Sequence, residues 1–244
     1  MNTSSVTDAC ICLPPVSLRL GHTRGKTVIN AFLNTLVPLR YLKVKPKIIK
    51  EKRALRIILA SKSPRRRELL GSIAPEFEVI TAPCDETLPN GIHPREGVEL
   101  LAIRKGEAVS ASLSPDALVI SSDTLVELDG VPLGKPRDTD DAHRMLRSLA
   151  GRAHNVHTGV AVHYMGRVFS GVDSTRVIFR PLSDSEIFEY IATGEPMDKA
   201  GSYGIQGLGG KFVERYEGDF DTVVGLSIKL TKKLIEEAIS YDKE

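Results

Sequence analysis

Leu55-Arg56-Ile57-Ile58-Leu59-Ala60-Ser61-Lys62-Ser63-Pro64-Arg65-Arg66-Arg67-Glu68-Leu69 turns from an apolar run into a helix start within a few residues. Leu55 to Ala60 reads as a short buried strand, Ser63 as an N-cap, and Pro64 as the first helical residue with its φ already set. Arg65 and Arg66 then fall in the first turn, where the helix dipole places partial positive charge. Each cation there costs from a few tenths to about 1 kcal/mol. A bound anion reverses the sign of that cost. Free backbone N–H groups, the hydroxyls of Ser61 and Ser63, and two guanidinium forks together describe a polyphosphate site; the alternative is a solvated basic helix start.

Outward from this stretch, two segments carry strong helical signatures. Thr139 is positioned to cap a helix with Asp140 and Asp141 in its first turn, a buried stripe of Ala142, Met145, Leu146 and Leu149, and an end at Gly151. Ser183 and Glu186 form a capping box ahead of Ile187, Tyr190 and Ile191, with a stop at Gly194. Further helices are predicted over 96–112 and 226–240. Strand-like runs occupy 77–81, 117–122, 125–133 folded at Asp129-Gly130, 154–164 and 167–179. Asp129-Gly130 is a type I′ hairpin signal. Strands interleaved with helices, some joined by hairpins, predict an α/β fold with a mixed sheet.

A chain of 244 residues that is 41% hydrophobic can bury a full core without a disulfide scaffold. Cys10, Cys12 and Cys84 are too few and too irregular for a zinc framework, and their odd number argues for a reducing, cytoplasmic compartment. The net charge of +2 hides an asymmetry. Residues 1–54 hold ten Lys/Arg against Asp8 and Glu51, so the remainder, with 23 basic and 29 acidic side chains, is mildly acidic. This segment is read as a basic extension preceding one domain over 55–244. It loosely resembles an organelle transit segment, and equally fits a disordered arm, an upstream translation artefact or a nucleic-acid tether. No run approaches the roughly 18 apolar residues that span a bilayer, so no membrane partner is expected.

The candidate chemistry gathers at a few positions. Ala117 to Thr124 is read as an apolar strand ending abruptly in a carboxylate, and Asp123 there can activate water or hold a divalent metal; the bland alternative is a turn-forming Asp. Asp85-Glu86 follows another strand, and Glu86 with Asp123 meets the carboxylate count for Mg²⁺ beside a phosphate. Gly130 to Pro136 fails as a Walker A loop, because only three residues separate the glycines and Pro136 replaces the hydroxyl. Lys135 remains well placed as a point charge for phosphate. Lys105 is another such point charge or a surface lysine. Five glycines between Pro196 and Gly210 suggest backbone close to a ligand, with Gln206 offering the donor and acceptor that a nucleobase edge requires. His154, His157 and His163 lack ligand spacing and are expected to be core or surface histidines. No Ser-His-Asp arrangement is apparent.

Ser61-Lys62-Ser63-Pro64-Arg65-Arg66, Asp85-Glu86, Lys105, Ser122-Asp123-Thr124, Leu133-Gly134-Lys135-Pro136, and Asp198-Lys199-Ala200-Gly201 leading to Tyr203-Gly204-Ile205-Gln206-Gly207 occur in this order. Together they closely resemble the Maf, or septum-formation inhibitor, family of nucleoside triphosphate pyrophosphatases, over about 55–240. The resemblance implies an elongated mixed sheet flanked by helices, of Maf/ITPase-like type, with two lobes around a cleft and often a homodimer. It implies hydrolysis of a nucleoside triphosphate to the monophosphate and pyrophosphate with Mg²⁺ or Mn²⁺, as a house-cleaning activity. Carried onto this chain, Asp123 accepts the proton of the attacking water. Ser61, Ser63, Arg65, Arg66, Lys105 and Lys135 hold phosphates, and Glu86 assists the metal with Asp123.

Within the family, base preference follows three positions, here Arg65, Thr124 and Gln206, a set similar to the branch acting on dTTP and UTP. The 7-methyl-GTP branch instead has Trp, Gln and Glu. A neutral amide suits the imide edge of uracil or thymine, whereas a carboxylate suits a positively charged methylated purine. The competing expectations are the same chemistry on 7-methyl-GTP or another modified nucleotide, and a regulatory binding protein linked to cell division. Nucleic acid is not an expected partner.

Overall fold

The computed structural model describes residues 55–241, and the basic extension expected over 1–54 lies outside the described residues. In chain order the elements are β1 (Ile57–Leu59), α1 (Pro64–Gly71), β2 (Glu78–Val79), α2 (Pro94–Ser110), β3 (Leu118–Leu128), β4 (Val131–Leu133), α3 (Thr139–Leu149), β5 (Ala153–Tyr164), β6 (Arg167–Phe179), α4 (Asp184–Ala192), β7 (Val213–Glu217), α5 (Phe220–Val224) and α6 (Ile228–Tyr241). Three short 3₁₀ turns, Glu195–Asp198, Ala200–Ser202 and Leu208–Phe212, fill the segment between α4 and β7.

The seven strands form one mixed sheet in the order β2-β1-β3-β5-β6-β7, with β4 on β3. β1 pairs in parallel with β2 and β3, and every other pairing is antiparallel. Alternation along the strands sends side chains to opposite layers. Leu59, Leu118, Ile120, Val160 and Val162 pack with Leu70 of α1 and Leu234 of α6. Their neighbours Ile58 and Val119 pack with Val109 of α2. A further core joins Val126, Val156 and Val177 to Leu146 and Leu149 of α3 and Ile187 and Tyr190 of α4. Truncating a fully buried leucine such as Leu146 to Ala costs about 2–5 kcal/mol.

The local rules hold in several places. Ser63 caps α1 through Arg66 N–H, with Pro64 as the first residue, and Ser183 and Glu186 make the expected capping box on α4. Asp129 and Gly130 both have positive φ, 53° and 78°, as a type I′ turn requires. The cap of α3, however, is Asp138, whose side chain accepts from Asp141 N–H, with Thr139 as the first helical residue. A carboxylate at this position also complements the helix dipole, which a hydroxyl does not.

The larger departure concerns β3. Its expected end at Ser122 and restart at Leu125 are one continuous strand through Asp123. The polar run Ser121 to Thr124 stays extended because each hydroxyl finds a partner: Ser121 donates to Ala102 O, Ser122 to Gly225 O, and Thr124 pairs with Thr158. Instead of β3 stopping, its neighbour stops. β1 pairs as far as Leu59 with Ile120, and β4 begins at Val126 with Leu133. Between them Ser121–Leu125 has no strand on that edge among the described residues, while β5 continues on the other. α2 packs closely on the sheet over β3 and β5. A Cβ on Gly159 of β5 would overlap the Val98 backbone, so the glycine lets the helix approach.

Candidate functional site

A cleft of about 1200 Å³ opens onto the free edge of β3. One side is the β1–α1 turn, Ala60 to Arg66, with Ala82 to Glu86 and Lys105 of α2 beside it. The same cleft is lined by Gly134 and Lys135 after β4 and by residues of the segment 195–207, among them Glu195, Tyr203 and Gln206. All ten residues singled out from the sequence, Ser61, Ser63, Arg65, Arg66, Glu86, Lys105, Asp123, Thr124, Lys135 and Gln206, line this cleft.

Asp123 sits at the floor with its side chain 15% exposed. Lys105 Nζ lies 2.5 Å from Asp123 Oδ1 and 3.3 Å from Glu86 Oε1. The lysine therefore bridges two carboxylates inside the cleft, which the surface-lysine reading does not describe. The convergence also bears on a divalent cation. Two hard oxygen donors within reach of one ammonium are a donor set suited to Mg²⁺ or Mn²⁺ when phosphate oxygens and water complete the shell. Among the described residues no cluster of three His, Cys, Asp or Glu has metal-binding geometry.

Arg66 is held from three sides. Its Nε donates to Gly225 O at 2.8 Å, Nη1 to Ser61 Oγ at 3.4 Å and Nη2 to Thr124 Oγ1 at 3.2 Å. Burial pushes its pKa below the ordinary arginine value, opposed by Asp123. Of five guanidinium N–H groups these bonds use three, leaving two for an anion. Thr158 Oγ1 donates to Thr222 O at 2.7 Å, so its contact of 3.0 Å with Thr124 makes Thr124 the donor there. Ser61 Oγ also accepts from Ser63 N–H, which locks the turn, while Ser63 Oγ is engaged as the α1 cap. Arg65 is partly exposed in the cleft and Lys135 is exposed.

The glycine-rich side is built differently from the expectation. Its glycines meet the protein's own side chains. A Cβ on Gly207 would collide with the Glu195 carboxylate, one on Gly204 would lie 2.8 Å from Lys199 Cε, and one on Gly209 would lie 2.7 Å from Tyr190 Oη. Glu195 accepts from Tyr190 Oη at 2.9 Å, Leu208 N–H at 3.0 Å and Gly209 N–H at 3.2 Å. Burial works against its ionised form, yet these bonds hold the carboxyl below the usual range. Gln206 is exposed at the turn between. Glu195 and Tyr190 escaped the sequence reading. The signal available was an acid set between Gly194 and Pro196, immediately ahead of the glycine run.

The three histidines are buried. His157 contacts Glu127 Oε2 and Ser174 Oγ, each at 2.7 Å, an arrangement the sequence does not announce and one outside the cleft.

With this geometry in place, the family model described as Maf-like protein matches residues 56–238. The chain belongs to the Maf family. Among Maf relatives, the dTTP/UTP pyrophosphatase of Bacillus velezensis is 47% identical over 182 residues, covering 75% of this chain and 96% of the relative. That of Pelotomaculum thermopropionicum is 49% identical over 174 residues, covering 70% and 91%. The Vibrio cholerae protein of the same name is 48% identical over 180 residues, covering 74% and 96%. Among the described Maf residues no helix is long and apolar enough to cross a membrane.

Proposed function

We propose that this protein hydrolyses nucleoside triphosphates, dTTP and UTP foremost, to the nucleoside monophosphate and pyrophosphate. The observation that carries this reading is the pairing of Asp123 with Lys105 at 2.5 Å on the open edge of β3, facing a cleft that also holds Arg65, Arg66 and Lys135. Lys105 occupies Oδ1 of Asp123 and leaves Oδ2 to accept a proton from water. The water oxygen attacks the α-phosphorus, the bond from that phosphorus to the bridging oxygen breaks, and pyrophosphate leaves with the electron pair. Positioning supplies most of the acceleration, and the two unused N–H groups of Arg66, with Lys135, stabilise charge on the phosphates.

Glu86 and Asp123 would hold a Mg²⁺ or Mn²⁺ ion, which supplies charge neutralisation on the triphosphate when bound. The neutral amide of Gln206 can present both a donor and an acceptor to the imide edge of uracil or thymine. The names of the relatives support the same substrates. House-cleaning of aberrant pyrimidine nucleotides in the cytoplasm, by a homodimer, completes the proposal.

A panel of nucleoside triphosphates, with and without Mg²⁺ or Mn²⁺, tests it by pyrophosphate detection. Turnover of dTTP and UTP well above 7-methyl-GTP, abolished by chelation, is expected. Preference for 7-methyl-GTP would reject the pyrimidine assignment, and release of orthophosphate alone would reject the reaction.

A further inference from the structure

We propose that Glu195 is a positioning residue that sets base discrimination by anchoring the Gly204–Gly210 loop from behind, so that Gln206 is presented in one place. The inference rests on the nucleotide-hydrolysing reading above. It goes beyond it by assigning Glu195, which lines the same cleft as Asp123, a role at the base rather than at the phosphate.

Three observations carry it. Both carboxylate oxygens of Glu195 are engaged, Oε1 by Tyr190 Oη and Gly209 N–H and Oε2 by Leu208 N–H, so this acid is not a spare general base. Both backbone bonds fall just after the turn that bears Gln206. Tyr190 Oη also accepts Gly204 N–H at 3.3 Å, which ties the start of the loop to the same post. The glycines then follow from the anchor, because a Cβ at Gly207 or Gly209 would strike Glu195 or Tyr190. An exposed amide on an untethered glycine-rich loop samples many orientations, and an amide reads a base only when its donor and acceptor are fixed. Lys199 steadies the anchor itself, donating to Glu195 O at 2.8 Å.

The test combines amide hydrogen exchange with kinetics on UTP and CTP, whose pairing edges differ, the imide of uracil against the amine and bare ring nitrogen of cytosine. In Glu195→Ala, exchange of the Leu208 and Gly209 amides accelerates by about tenfold or more. The UTP-to-CTP ratio of kcat/KM falls about tenfold, chiefly through KM for UTP. Glu195→Gln keeps one acceptor oxygen and restores part of both effects. In a Gln206→Ala background the Glu195→Ala change lowers the ratio no further, which a merely structural role would not produce. If Glu195→Ala does not fold, Tyr190→Phe removes one donor and shows the same direction at smaller size.

Unchanged exchange at Leu208 and Gly209 overturns the proposal whatever the activity. An undiminished loss of discrimination in the Gln206→Ala background also overturns it, since Glu195 would then act by another route. A wild-type protein inert towards every triphosphate, with exchange still responding to Glu195→Ala, overturns the functional reading and the discrimination role with it, leaving the anchor alone.

Discussion

The wall of the cleft formed by Ser61–Arg66 and α2 fixes charged side chains by ion pairs and guanidinium bonds, whereas the wall formed by Gly204–Gly210 fixes neutral backbone by a carboxylate set behind it. The difference separates two tasks of a nucleotide site. Charge on a triphosphate can be met by cations acting over several ångströms, so Arg65 and Lys135 remain partly or fully exposed. A base edge offers only short-range, directional contacts, so a loop proposed to read it has to be held in place.

The comparison breaks first at the charged wall. Asp123→Asn removes the proposed proton acceptor and keeps the shape, so kcat falls about 10²–10⁴-fold in a pyrophosphate-release assay while the melting temperature changes little. Lys105→Met leaves Glu86 and Asp123 facing each other without their shared cation, and kcat/KM falls roughly 10²-fold. Wild-type activity in either variant would remove the charged wall from the chemistry.

A stability effect probes the neutral wall. Burial lowers the His154 pKa from 6.5 to about 4, and His154 Nε2 lies 2.8 Å from Tyr203 Oη at the base of the loop. The unfolded imidazole binds a proton in this window and the folded one does not, so the contribution is complete above pH 6.5 and is lost as pH falls towards 4. Between pH 7 and pH 5 the loss is about 2 kcal/mol, read as a lowered denaturation midpoint that His154→Gln flattens. An unchanged midpoint would contradict the burial argument.

The smallest effect sharpens the contrast. Gln206→Glu places a charge on the neutral wall, which lowers kcat/KM for UTP about tenfold and raises turnover of a positively charged methylated purine nucleotide. Equal loss on both substrates would mean that Gln206 does not read the base.

How far the sequence carried this picture depended on whether each signal was local. The α4 capping box, the Asp129-Gly130 turn and β6 over Arg167–Phe179 match because their causes lie within a few residues. Glu86 and Asp123 were legible as a carboxylate pair, but the place of Lys105 between them was not, since α2 and β3 meet only in three dimensions. The continuity of β3 was hidden because the partners of Ser121, Ser122 and Thr124 come from α2, the α5–α6 turn and β5. β7 went unseen because Val213 to Glu217 is an exposed edge strand with little apolar alternation. The glycine run reads from the sequence as backbone near a ligand, and the structure adds a cause the sequence does not show, the packing of its glycines against Glu195, Tyr190 and Lys199.

Turnover of UTP in ¹⁸O-labelled water addresses the central chemistry most directly. Water directed by Asp123 to the α-phosphorus places the label in the phosphate of UMP and leaves the released pyrophosphate unlabelled. Label in pyrophosphate, or in orthophosphate, would mean that water attacks elsewhere along the chain of phosphates.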